Sequence, residues 1–171
     1  MYSRGKRFAI FAGLVLVSVF MRPTPAAVAA DATSDTGVFG YWKRLDDDTG
    51  KVQSIFRLWE DKGKLVGKIV KVYPTKDKKP QEICTECTGA QQNKPVNGLL
   101  FLWGFTRQEG SARKWIDGKV LNPENGKTYN SEVELSEDGK SLSVYGYIRV
   151  LVKLGGTSTW QRATPEDLKG I

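Results

Sequence analysis

The chain has 171 residues, with 26 lysines and arginines, 19 aspartates and glutamates, and a formal net charge of +7. It contains no histidine, which excludes Ser-His and Cys-His nucleophilic catalysis, imidazole metal sites and histidine pH switches. Its length suits roughly one domain with a well-buried core.

The N-terminal segment, residues 1–30, has the pattern of a secretory signal peptide. A basic start at residues 4–7 precedes an apolar run at 8–20, and small residues then lead to a predicted cleavage site after residue 29 or 30. An uncleaved membrane anchor is the alternative, but the run is shorter than the ~20 apolar residues of a spanning helix. We therefore predict cleavage and a periplasmic or secreted protein.

Removal of this segment changes the charge of the protein. The remaining chain has 22 basic and 19 acidic residues, a net charge of +3. A charge of this size does not indicate a nucleic-acid partner. We expect residues 31–171 to form a single domain with no transmembrane span.

The rest of the chain alternates strand-like runs with polar turns that contain glycine. The predicted strands are residues 38–45, 52–59, 65–73, 99–106, 115–121, 128–135, 142–148 and 157–162. Gly118 predicts a bulge, and alternation in the second strand predicts Ser54 inside and Gln53 outside. Residues 74–98 form one long connection, and residues 150–156 an irregular apolar link.

About eight short strands without a core-length helix predict an all-β fold, an antiparallel up-and-down barrel or else a sandwich. A barrel of this size either fills its interior or holds one small ligand. Ser54, Ser131 and Gly146, small residues on inner faces, favour a cavity. Large neighbouring side chains that fill these gaps are the alternative.

The two ends of the barrel sequence carry a matched pair of motifs. Gly40 and Trp42 lie in the first strand, and Trp160 and Arg162 lie in the last. We expect Trp42 to plug one end, Arg162 to lie over its ring through a cation–π contact, and Trp160 to join this closing core. The arrangement resembles that of the calycin (lipocalin-like) barrels, which implies an architecture but no chemistry.

Five sequence blocks carry a more specific resemblance. They are Cys84-x-x-Cys87, Lys94–Leu99, Trp115–Tyr129, Leu142–Tyr147 and Thr157–Arg162. Together they resemble the secreted bacterial proteins grouped as domain of unknown function 2147. The chain departs from that pattern at Tyr145, where an arginine is expected, and at Gly155-Gly156. The resemblance implies a periplasmic or secreted calycin-like barrel with no assigned activity.

Cys84 and Cys87 are the two cysteines of the sequence. In an oxidising compartment we expect them to form a disulfide, which for so short a loop contributes roughly 2 kcal/mol. A redox-active pair is the alternative, but Glu82 and Glu86 would raise the thiol pKa values. A zinc site would need two further ligands, which only a second chain could provide.

The acidic residues fall mostly in turns or on outward strand faces, and none lies in an apolar setting that would raise its pKa. Three adjacent aspartates, residues 46–48, are too few for a calcium loop. We therefore predict no enzyme activity, no metal and no cofactor.

The aromatic residues give the remaining signal. Phe56, Trp103, Tyr129 and Tyr147 are predicted to line a pocket, with core packing as the alternative for each. We predict a cell-envelope protein that binds a small apolar or amphipathic molecule, with the 74–98 connection near the mouth of the barrel. A filled barrel that interacts with an envelope protein through its surface is the alternative.

Overall fold

The computed structural model describes residues 37–76 and 79–171, so the predicted signal peptide lies outside the described residues. Eight antiparallel strands form a closed barrel in which each strand pairs with the next in sequence and β8 returns to β1. The strands are β1 (Gly40–Leu45), β2 (Val52–Asp61), β3 (Lys64–Val72), β4 (Leu100–Arg107), β5 (Lys114–Asn122), β6 (Lys127–Leu135), β7 (Ser141–Arg149) and β8 (Lys153–Arg162). The predicted up-and-down barrel is confirmed.

Strict alternation of strand direction separates the connections into two groups. The chain enters β1 at one end, which also carries the short turns that follow β2, β4 and β6. We call this the closed end. The opposite, open end carries the turns after β1, β5 and β7 and the long connection, residues 73–99, that follows β3. Among the described residues, no helix is long and apolar enough to cross a membrane.

The closed half of the barrel is packed with large side chains. Buried members of this core are Trp42, Leu58, Leu65, Leu102, Phe105, Trp115, Leu135 and Leu142. The predicted bulge at Gly118 belongs to this packing, since the β5–β6 register shifts between Trp115 and Gly118. A Cβ atom on Gly118 would lie 2.2 Å from the ring of Phe105. Glycine therefore leaves the space that this ring occupies.

The last strand begins earlier than the sequence predicts. In place of an irregular link at residues 150–156, β8 begins at Lys153 and pairs with β7 as far as Arg149. The prediction is wrong because Gly155 and Gly156 lie where β8 passes close to Gly146 of β7 and are part of the strand. A Cβ atom on Gly155 would lie 2.0 Å from the carbonyl oxygen of Gly146. β7 and β8 form a hairpin whose turn, residues 150–152, lies at the open end.

The C-terminal tail folds back onto β1. Lys43 donates a hydrogen bond of 2.8 Å to Asp167 in an ion pair of two largely buried side chains. Burial by itself would raise the pKa of Asp167, but the hydrogen bonds from Lys43 and Thr164 outweigh it and hold that pKa below its ordinary value. The tail is thereby tied to the first strand.

Candidate ligand cavity

The closed end is sealed by the predicted tryptophan and arginine. Trp42 and Arg162 are cross-strand partners in β1 and β8, and the guanidinium carbon lies 4.2 Å from the centroid of the fully buried indole. Arg162 also donates hydrogen bonds to the carbonyl oxygens of Gly37, Phe39 and Gly139. One side chain thus joins three chain segments at this end.

Glycine at position 40 makes room for this arginine. Gly40 has a φ of 108°, which side chains disfavour, and a Cβ atom there would lie 3.4 Å from Arg162 Nη1. The predicted roles of Gly40, Trp42 and Arg162 therefore correspond to one connected arrangement. Its effect is to leave the opposite end of the barrel as the entrance.

The long connection lies at that entrance and contains the predicted disulfide. Cys84 and Cys87 are bonded, with their Cα atoms 5.4 Å apart, and both are buried. Cys84 Sγ lies 3.5 Å from the carbonyl oxygen of Pro123, and a Cβ atom on Gly126 would lie 1.8 Å from the carbonyl oxygen of Glu86. The disulfide loop therefore packs closely on the turn between β5 and β6.

A cavity of about 1070 Å³ occupies the open half of the barrel. Its floor is an aromatic cluster in which the ring of Phe56 lies 4.3 Å from Trp160 and 5.0 Å from Phe101, measured between centroids. Ile69 and Val144 extend this apolar surface up the walls. The lower part of the cavity can therefore accept an apolar group.

The rim of the cavity is polar. Arg44, Lys79 and Glu124 place charges there, and the hydroxyl of Tyr129 accepts a hydrogen bond of 3.1 Å from Asn125. Polar groups above an apolar floor are the arrangement that holds an amphipathic molecule in one orientation.

A buried side-chain acceptor also faces this cavity. Gln53 contributes to its lining, and its side-chain oxygen Oε1 is buried without a hydrogen-bond partner among the described residues. The sequence places Gln53 on the outer face, and that prediction is wrong because β1 and β2 shift register there. Arg44 pairs with Ser54 and Leu45 with Val52, which leaves Gln53 as an extra residue.

Two of the four predicted ligand-contacting aromatic residues, Phe56 and Tyr129, line the cavity. Two other aromatic residues complete the floor. Trp160 is buried in the same core cluster as Trp42, as predicted, and its ring also lines the cavity, a role that the sequence analysis did not assign to it; Phe101 was not singled out. The alternation of β8 places Ser158 and Trp160 on one face, so this pattern could have predicted the position of Trp160.

The other two predicted residues do not line the cavity. Trp103 is directly opposite the exposed Lys119, and directly opposed residues share a face, so it lies on the outer surface of the barrel. Tyr147 follows the cavity-lining Gly146 in a regular strand and therefore points to the opposite face. Neither aromatic side chain can contact a molecule held inside.

Four carboxyl groups have a pKa clearly below the ordinary value. They are Asp46, Glu132, Asp138 and Asp167. The main cause is a hydrogen bond from a nearby hydroxyl at Asp46 and Asp138, and from Lys153 at Glu132. None of the four lines the cavity. Among the described residues, no group of three or more acidic or cysteine side chains could hold a metal ion.

These features define a lipocalin-like barrel, sealed at one end and hollow at the other. The structure is similar to that of protein HP1028 from the human pathogen Helicobacter pylori, which is described as a member of the lipocalin family. The two share 22% sequence identity and a TM-score of 0.61 over 77% of this chain and 86% of that one, which establishes the fold.

The particular family follows from the sequence. The model of a family described as "Uncharacterized protein conserved in bacteria (DUF2147)" matches residues 40–162, and the chain belongs to this family. The resemblance carried by the five sequence blocks is thereby confirmed. A search of curated proteins found no match.

Proposed function

We propose that this protein is a carrier that binds one small apolar or amphipathic molecule inside the barrel and catalyses no reaction on it. The observation that carries the proposal is the cavity of about 1070 Å³, with its aromatic floor and polar rim. Known ligand pockets combine a mostly apolar lining with a few placed polar groups. The floor would hold the apolar part of the ligand, and the rim, where Arg44 and Lys79 outnumber Glu124, would favour an anionic head.

The same proposal includes a location in the periplasm or outside the cell. The signal-peptide pattern of residues 1–30 and the Cys84–Cys87 disulfide support it, because disulfides persist in oxidising compartments. The alternative of an interaction module needs a filled barrel, and the cavity gives that alternative no support. The mass of the protein recovered from its own cells would show whether the N-terminal segment is removed.

A titration with a dansylated fatty acid tests the binding proposal. Trp160 lies on the cavity floor, so a bound dansyl group would accept excitation energy from it, and we expect saturable transfer with one probe per chain. Gly156→Leu should weaken probe binding by about tenfold or more, because a side chain there enters open space inside the cavity.

The matched control is Gln161→Leu, on the same strand at an exposed position next to the inward Trp160. This variant should bind the probe as the wild type does. Equal binding by the wild type and Gly156→Leu would place the probe outside the cavity and contradict the proposal.

A further inference from the structure

The turn between β7 and β8 carries unusually exposed apolar side chains. Val150, Leu151 and Val152 are 66%, 99% and 61% exposed. Single apolar side chains are common on protein surfaces, but three in succession at a projecting turn indicate an interaction surface. We call residues 150–152 the apolar tip.

The apolar tip is continuous with the cavity. The cross-strand pair next to it, Ile148 and Leu154, is also exposed, at 49% and 56%. Both side chains line the mouth of the cavity. An apolar surface therefore runs from the turn along the inner face of the hairpin into the barrel.

The outer face of the same hairpin is basic. Arg149 and Lys153 pair across the two strands, directly below the apolar tip. Lys153 forms an ion pair with Glu132, and Arg149 is exposed. Residues 148–157 contain these two cations and no acidic residue, and because Glu132 of the neighbouring strand pairs with Lys153, Arg149 provides the excess positive charge of the hairpin.

We propose that the apolar tip inserts into the interfacial layer of a lipid bilayer, so that the cavity opens at the membrane surface. In this layer acyl chains meet anionic headgroups, so the apolar side chains of the tip would contact the acyl chains while the neighbouring arginine and lysine contact the headgroups. The turn after β1 lies at the same end and carries three aspartates, residues 46–48, so the insertion is confined to the one hairpin. The inference goes beyond carriage, because docking requires no occupant in the cavity.

Vesicle flotation tests this docking. The protein is produced from the full-length chain, and its mass shows whether the N-terminal segment has been removed. It is then mixed either with anionic vesicles of phosphatidylethanolamine and phosphatidylglycerol or with neutral vesicles of phosphatidylcholine alone. Leu151→Ser should lower the partition coefficient by about tenfold on both, because one fully exposed apolar side chain is lost. Arg149→Gln should lower it about fivefold on the anionic vesicles and little on the neutral ones.

The matched control is Ile171→Ser, which removes another exposed apolar side chain, 48% exposed, far from the tip in sequence. It should partition as the wild type does. The proposal would be overturned if the wild-type protein remained in the bottom fraction without the vesicles, or if the Leu151→Ser protein floated with them as well as the wild type does. Sedimentation velocity that reveals a dimer dissociated by Leu151→Ser would assign the tip to a second copy of the chain and would also overturn it.

The same flotation separates docking from ligand binding. The cavity-blocking variant Gly156→Leu should float with the vesicles as the wild type does, although it binds the probe more weakly in solution. The variant Leu151→Ser should keep its probe affinity in solution, since residue 151 does not line the cavity. Failure of either proposal would therefore be recognised independently of the other.

Discussion

Replacement of Arg162 is the most informative test of how the barrel is closed. The guanidinium lies 4.2 Å from the Trp42 ring and donates hydrogen bonds of 3.1, 2.5 and 3.0 Å to the carbonyl oxygens of Phe39, Gly37 and Gly139. A charged hydrogen bond contributes about 1.5–3 kcal/mol, and a partly buried cation–π contact about 1–2 kcal/mol. These contributions overlap, so we expect Arg162→Ala to lower the free energy of unfolding by about 3–5 kcal/mol.

Thermal and urea unfolding would measure this loss. For a domain of this size, 3–5 kcal/mol corresponds to a fall in Tm of about 10–15 °C. Arg162→Lys should recover only part of it, because an ammonium cannot reach three carbonyls and stack on the ring at once.

The matched control is Arg57→Ala, which removes an exposed arginine whose guanidinium carbon lies 5.8 Å from the centroid of the Tyr41 ring. That contact should contribute less than about 1 kcal/mol. If Arg162→Ala cost no more than Arg57→Ala, closure of the barrel by Arg162 would be refuted.

Three further predictions follow from the packing and the ion pairs. Gly118→Ala should destabilise the barrel by about 2–3 kcal/mol in urea unfolding, because its Cβ atom would lie 2.2 Å from the Phe105 ring. The double variant Cys84→Ser/Cys87→Ser should have a free energy of unfolding lower by roughly 2 kcal/mol in the same assay, yet it should keep the far-UV circular dichroism of the barrel. The lowered pKa of Asp167 stabilises the folded protein at pH values above the unfolded pKa of 3.8, and this contribution is lost as the pH falls through the folded pKa. Asp167→Asn should therefore lower the free energy of unfolding by about 1 kcal/mol at neutral pH but by little at low pH.

Each of these predictions has a specific contradiction. Gly146→Ala is the control for the first, since its Cβ atom would approach its neighbours only to 3.6 Å, and equal costs at the two glycines would exclude steric packing as the cause. Loss of the barrel signal in the double serine variant would mean that the disulfide holds the whole fold together. An Asp167→Asn protein with an unchanged acid transition would show that the ion pair to Lys43 does not contribute to acid stability.

The barrel could be predicted because its signals are local. Strand alternation and glycine-containing turns are read within a few residues, and they located all eight strands to within a few residues. The closing pair of Trp42 and Arg162 could also be predicted, because a tryptophan and an arginine can form a cation–π contact however far apart they lie in the sequence. The Gly118 bulge was also visible locally, because a glycine inside a strand usually marks a bulge or a close approach of neighbouring groups.

The cavity lining could be predicted only in part. Whether a residue faces the cavity depends on the strand register, and each β-bulge changes the face that the following residues occupy. An extra residue between β1 and β2 turns Gln53 inward, and no local pattern marks it. Trp103 looked suitable for a ligand by residue type, but its cross-strand partner, Lys119, is what reveals its outer position. The apolar tip was not predicted, because residues 150–156 were interpreted as an irregular link and not as part of a β-hairpin.

Native mass spectrometry of the protein purified from the cells that produce it tests the central claim, carriage of a small molecule in the barrel, most directly. Compared with the denatured mass, the native mass should include an additional small molecule that denaturation releases, and the Gly156→Leu protein should lack it. The denatured mass also reports cleavage of the N-terminal segment and the state of the Cys84–Cys87 bond. An identical additional mass on the wild type and on Gly156→Leu would contradict binding in the cavity, and a native mass without any released molecule, together with no saturable probe binding, would contradict carriage itself.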